Sequence, residues 1–342
     1  ISLMFFGLTL MKMNMTKPLS GLITENDDLE ESMLKSILSR TIVIILFVPL
    51  LIWVFLKGDI TFLIFTEIII GMSVFEFYKM LKDKGFEVAS RIGLFLSLLL
   101  PILVYLRDKV LFSYDFLGLK GDFIVKFDIG GFVVFALMLI AARQILKVKI
   151  NGAMAEISYT LFGIIYISYF FSYILLIRND LPRGNTIVLM AFILIWTCDI
   201  AAYLVGITIG GKIIKRRLAP EISPKKSFEG AIGGIIGAFI VALNFDYFFS
   251  FFATIICKHF TFIEQCSIHS HITFTKFEAL MFALTIALFA ELGDLVESKI
   301  KREFEIKDSG NLLLGHGGFL DRFDSALFVL PVVYYFVKYF FN

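Results

Sequence analysis

The sequence predicts an all-α, polytopic integral membrane protein with about nine transmembrane helices in one bundle. Two observations lead there. The 342-residue chain is 58% hydrophobic, with a mean hydropathy of +0.85, whereas soluble domains are about 45–50% apolar. Its 40 Phe and 12 Tyr residues suit a bundle that faces lipid and carries aromatics at the interface, because in hydrocarbon a helix can be apolar all round.

Taken in order, residues 1–13 form an apolar stretch too short to span, and 16–34 carry Glu25, Asp27, Asp28, Glu30 and Glu31. Residues 1–40 therefore read as a polar, flexible tail. Residues 41–342 read as one transmembrane domain. A helix needs about 20 apolar residues to cross the hydrocarbon. Candidate spans lie near 41–56, 60–78, 92–106, 129–142, 157–177, 186–206, 230–256, 277–296 and 319–341. The fourth is the weakest, because Lys126, Asp128 and the Gly130-Gly131 pair interrupt its start. With an inside N-terminus, Lys and Arg fall roughly two to one on the inner side, as the positive-inside rule expects. That arrangement puts the polar segments 207–229 and 297–318 on the cytoplasmic side, where nucleotides are found.

A net charge of +2 gives no broad basic field for nucleic acid. Cys198, Cys257 and Cys266 show no paired spacing for a disulfide framework or a zinc site. His259, His269 and His271 sit in an expected outer loop and read as solvated. Glu67 and Glu76, in the second span, are assigned no role. No Walker A sequence, Gly-x-Ser-x-Gly elbow or HExxH pattern is present.

A charge in an apolar helix costs several kcal/mol, so intramembrane acids are functional candidates. Asp199 interrupts the sixth span. Glu291, Asp294 and Ser298 share one face at the end of the eighth, and Asp321 and Asp324 share a face at the start of the ninth. A hairpin joining these helices would bring two acidic faces together in a hard oxygen site suited to Mg²⁺. Between them run Lys299, Lys301, Arg302 and Lys307, then a Gly-rich turn around His316, a composition that can hold phosphate. Ser223-Pro224-Lys225-Lys226 ends the other polar loop, with Ser227 as a helix cap. Gly230, Gly233, Gly234 and Gly237 then form a small-residue face for close helix packing.

Residues 298–324 resemble the signature of the phosphatidate cytidylyltransferase family. The family pattern runs Ser-x-x-Lys-Arg, four residues, Lys-Asp, then Pro-Gly-His-Gly-Gly and Asp-Arg-x-Asp. Here it is met by Ser298, Lys301, Arg302, Lys307, Asp308, Gly315, His316, Gly317, Gly318, Asp321, Arg322 and Asp324. The run from Asp199 to Tyr203, with Ser223, Lys225, Lys226, Glu229 and Gly230, resembles a second conserved block. The detailed likeness covers about 196–325, the expected catalytic part. Leu314 stands where Pro is usual, Phe228 where Trp is usual and Ile207 where Arg is common.

The resemblance implies attack by the phosphate of phosphatidate on the α-phosphorus of CTP, in a bacterial inner membrane with the site facing the cytoplasm. It implies Mg²⁺ at Asp294, Asp321 and Asp324, with Glu297 close by. Lys301, Arg302 and His316 would join the three aspartates in catalysis, His316 orienting a phosphate or shuttling a proton. Ser223, Lys225, Lys226, Glu229, Ser298, Lys307, Asp308, Arg322 and Asp199 would line the substrate site. A second cation and a homodimer are left open. Two rival readings are a CTP-dependent polyprenol-type kinase, which would transfer the γ-phosphoryl group, and a secondary transporter, which should show inverted repeats.

Overall fold

In the computed structural model the described residues are 51, 53–55, 57–107, 111–116, 119–124, 128–147, 151–247, 274–310 and 317–340. The tail 1–40, most of the first expected span, Cys257, Cys266, the three outer-loop histidines and 311–316, which includes Leu314 and His316, lie outside them. Eight helices are described: α1 (Asp59–Asp83), α2 (Ser90–Leu106), α3 (Ile129–Ile145), α4 (Ala153–Asp180), α5 (Gly184–Thr208), α6 (Phe228–Leu243), α7 (Lys276–Glu303) and α8 (Leu320–Phe340). Five of them, α1, α4, α5, α7 and α8, are long and apolar enough to cross a bilayer, while α2, α3 and α6 are shorter apolar helices. A multi-pass helical membrane protein is thus borne out, but a count of nine crossings is not reached among the described residues.

The interruption before the fourth expected span is a helix start. Asp128 accepts from the amides of Gly130 at 3.3 Å and Gly131 at 2.7 Å, capping α3. Two connections differ from expectation in another way, since the one before α3 and the polar segment 207–229 each contain an antiparallel hairpin. β1 (Leu111–Phe116) pairs with β2 (Leu119–Ile124), and β3 (Arg217–Ala219) pairs with β4 (Ser223–Ser227). Ladder bonds satisfy backbone groups that a bare loop beside an apolar bundle would leave unpaired.

Helix α6 lies along α5 through its glycines. A Cβ on Gly233 would meet Val205, one on Gly237 would meet Ala201 at 2.5 Å, and one on Gly234 would sit 2.8 Å from Cys198 Sγ. The opposite face of α6 presents Ile232, Ile236 and Ile240 outward, all exposed. One stripe packs backbone to backbone while the other is left for lipid. Ser227 caps α6 by accepting from the Gly230 amide at 3.1 Å, as the sequence predicts. Helix α7 begins with a full capping box between Thr275 and Glu278 and packs on both α6 and α8. Helix α4 lies against α8 and contains a π turn over Ile164–Tyr169. Within the first half, the Tyr78 ring fills the space above Gly93 and Gly163, and its hydroxyl donates to Thr160 O at 2.7 Å.

Gly234→Val should force α5 and α6 apart and destabilise the protein by about 1–3 kcal/mol. Thermal unfolding in detergent would check this, and an unchanged midpoint would contradict the close packing.

Candidate active site

Helix α7 runs unbroken from its apolar start to Glu303, so its terminal turns stack polar side chains on one face. Glu291, Asp294 and Ser298 lie there, with Glu297 and Lys301 beside them. β4 delivers Lys226 to this face. Its Nζ lies 2.7 Å from Glu291 Oε2 and 2.7 Å from Asp294 Oδ2, and Ser298 Oγ donates to Asp294 Oδ1 at 3.2 Å. Asp199 of α5 stands in the electrostatic field of Asp324, Asp294, Glu291 and Lys226. Helices α5 and α8 thus pack on α7, and β4 meets it through Lys226.

A second ion pair closes the turn between α7 and α8. Lys301 Nζ lies 2.5 Å from Glu297 Oε2 and 2.8 Å from Asp321 Oδ1. Asp321 also accepts the Ser309 amide, at 3.1 and 3.0 Å to its two oxygens, and the Gly318 amide at 2.8 Å. Three donors thus converge on this carboxylate, with the Ser309 amide shared between its two oxygens. Asp324 follows one turn later and accepts the Ser325 amide at 2.6 Å. Asp294, Asp321 and Asp324, expected together as metal ligands, are not so gathered. Among the described residues no group of three His, Cys, Asp or Glu side chains is disposed to hold a metal ion.

Other candidates organise backbone. Arg302 donates from Nε to Ile222 O at 3.3 Å and from Nη1 to Ile306 O at 2.9 Å, tying the end of α7 to the β3–β4 turn. Glu229 Oε1 accepts the amides of Ile213 at 3.1 Å and Ile214 at 2.7 Å, so it pins the segment leading into that hairpin. Lys225, Lys307, Asp308 and Arg322 are exposed at the polar end of the bundle, and Ser223 is half-buried at the start of β4.

The residue that sequence reasoning passed over is Glu76. It reaches from α1, is buried, and accepts from Ser309 Oγ at 3.1 Å and from the Leu320 amide at 3.0 Å. A Cβ at Gly310 would lie 2.6 Å from Glu76 Oε1, and one at Gly318 would clash with its other oxygen. Two glycines of the turn are thus required by this carboxyl group. A second-span acid with no apparent partner was the available signal, since a buried carboxyl group must find donors somewhere.

Burial alone would lower the pKa of Lys226, but Asp294 and Glu291 outweigh it and hold the ammonium above the ordinary lysine range. A pKa raised on folding adds stability that is fully present below about pH 10 and is lost only as pH rises through the folded value.

A family model described as "Cytidylyltransferase family" matches residues 38–340. A Bacillus subtilis (strain 168) protein named phosphatidate cytidylyltransferase is 35% identical over 276 residues, covering 81% of this chain and 89% of that protein. The protein of that name from Rickettsia bellii is 34% identical over 201 residues, covering 59% and 78%. The one from Staphylococcus haemolyticus is 29% identical over 296 residues, covering 86% and 95%.

Two predictions arise from this geometry. Glu76→Ala should cost about 1–3 kcal/mol of stability and speed tryptic cleavage after Lys307, with wild-type digestion kinetics as the contrary result. The drop in thermal midpoint caused by Lys226→Gln should be equal at pH 7 and pH 9. A drop that faded between them would show the pair titrating in that window.

Proposed function

Because the chain belongs to the cytidylyltransferase family, we propose that it transfers the cytidylyl group of CTP to phosphatidate, giving CDP-diacylglycerol and pyrophosphate. The observation that carries this reading is the meeting of the two polar segments. Lys226 bridges Glu291 and Asp294, and Arg302 reaches Ile222, so one basic and acidic site is built from parts distant in sequence. Residues 196–325 form its catalytic part.

The reaction needs alignment and charge neutralisation more than a protein nucleophile. An oxygen of the phosphatidate phosphate attacks the α-phosphorus of CTP. The bond from that phosphorus to the oxygen bridging to the β-phosphate breaks, and pyrophosphate leaves with the electron pair. Lys225, Lys307 and Arg322, exposed at the polar end, grip the triphosphate on entry, and His316 orients a phosphate. Lys226 and Lys301, held by carboxylates from two sides, present fixed positive charge to the reacting phosphates. The exposed isoleucines of α6 meet lipid, and phosphatidate enters from the leaflet. The membrane is the bacterial inner membrane, with the site facing the cytoplasm.

The donor chemistry fits Mg²⁺, a cation that takes one or two carboxylates plus substrate phosphates. Asp294 and Asp324, which lie in each other's field, are the residues to hold it, and it would neutralise phosphate charge there. Asp321, held by Lys301 and the Ser309 and Gly318 amides, is a positioning residue that fixes Lys301 and the turn before α8.

Purified protein given phosphatidate, Mg²⁺ and CTP labelled at the α-phosphate should form labelled CDP-diacylglycerol and release pyrophosphate. Asp294→Asn should insert normally yet lose about a hundredfold or more in rate. CDP with a phosphorylated alcohol would establish the kinase instead, and ion movement with CTP left intact would establish a transporter.

A further inference from the structure

Helix α4 is regular except where it widens into the π turn at Ile164–Tyr169. Such turns are rare and occur frequently at functional sites. This one carries Tyr166, which is 3% exposed. Its ring stacks on Phe162, with centroids 5.0 Å apart and planes 20° apart, and meets Phe170 and Phe328 edge-on. That apolar collar accounts for the ring and not for the oxygen. Among the described residues the hydroxyl has no hydrogen-bond partner, although it lies in the field of Glu297, Asp324 and Asp294. Among the same residues Glu297 Oε1 is likewise buried without a hydrogen bond.

Buried hydroxyls are almost always paired, and an unpaired one costs stability. Phenylalanine would keep the ring contacts at this position and remove that cost. The oxygen therefore has a use that the protein alone does not reveal. Of the carboxylates around it, Asp294 is paired with Lys226, and Glu297 through its other oxygen with Lys301. A neutral donor fixed at the end of a rigid ring suits an anionic acceptor that arrives at this site.

We propose that Tyr166 is a further catalytic residue, its hydroxyl donating a hydrogen bond to a phosphate oxygen of a bound substrate between α4, α7 and α8. This rests on the cytidylyl-transfer reading above. The acceptor belongs either to phosphatidate or to CTP, and kinetics with each varied in turn separate the two.

The test is Tyr166→Phe in the full chain, reconstituted in lipid nanodiscs, with kcat and KM for both substrates and the thermal midpoint measured together. The expected result is a loss in kcat/KM of about tenfold to a hundredfold, largest for the substrate that supplies the acceptor, with a midpoint unchanged or raised. Wild-type kinetics would overturn the proposal, as would a lost rate accompanied by a lowered midpoint, the mark of a structural hydroxyl or of an ordered water bridging Tyr166 to Glu297. Wild-type protein that fails to turn over CTP with phosphatidate would overturn the functional reading itself, a result seen without the variant.

Discussion

A carboxyl group set among apolar helices must be met by a cation, a hydrogen-bond donor or a ligand, because the hydrocarbon offers nothing in exchange for its hydration. That requirement organises this protein. Glu291 and Asp294 are met by Lys226, Glu297 and Asp321 by Lys301, and Glu76 by Ser309 and Leu320. Each pairing joins elements that hydrophobic packing alone would leave free to slide. Ion pairs of this kind give registry more than net stability.

The pairings also divide labour among the acids. Asp321 is spent on the turn that follows α7, and Glu229 on the approach to the β3–β4 hairpin. Asp199, Asp294 and Asp324 instead lie in one another's electrostatic field. Acids that look alike in the signature thus serve different ends, and their backbone partners distinguish them.

Much of this was legible in the sequence, for physical reasons that can be named. The long helices were readable because lipid imposes length and apolarity on each crossing independently of its neighbours. The acidic face of α7 was readable because Glu291, Asp294 and Ser298 recur at helical spacing, and the glycine stripe of α6 because close packing leaves a periodic mark. The hairpins were not, since polar segments outside the hydrocarbon obey no such constraint. Glu76 was not, because its partners lie 233 and 244 residues away and nothing local announces them. Asp128 was misread as an interruption, when its place two residues before a glycine pair is that of a cap.

Glu76 has a consequence for modularity. A chain cut before α5 would keep every residue of the signature, from Asp199 to Asp324. It would nevertheless leave Ser309 Oγ and the Leu320 amide without their acceptor, and Gly310 and Gly318 facing a hole where a carboxyl group had been. The second half is therefore not self-contained in its contacts. The apolar first half supplies the carboxyl group on which that turn closes, and this contact ties the two halves together.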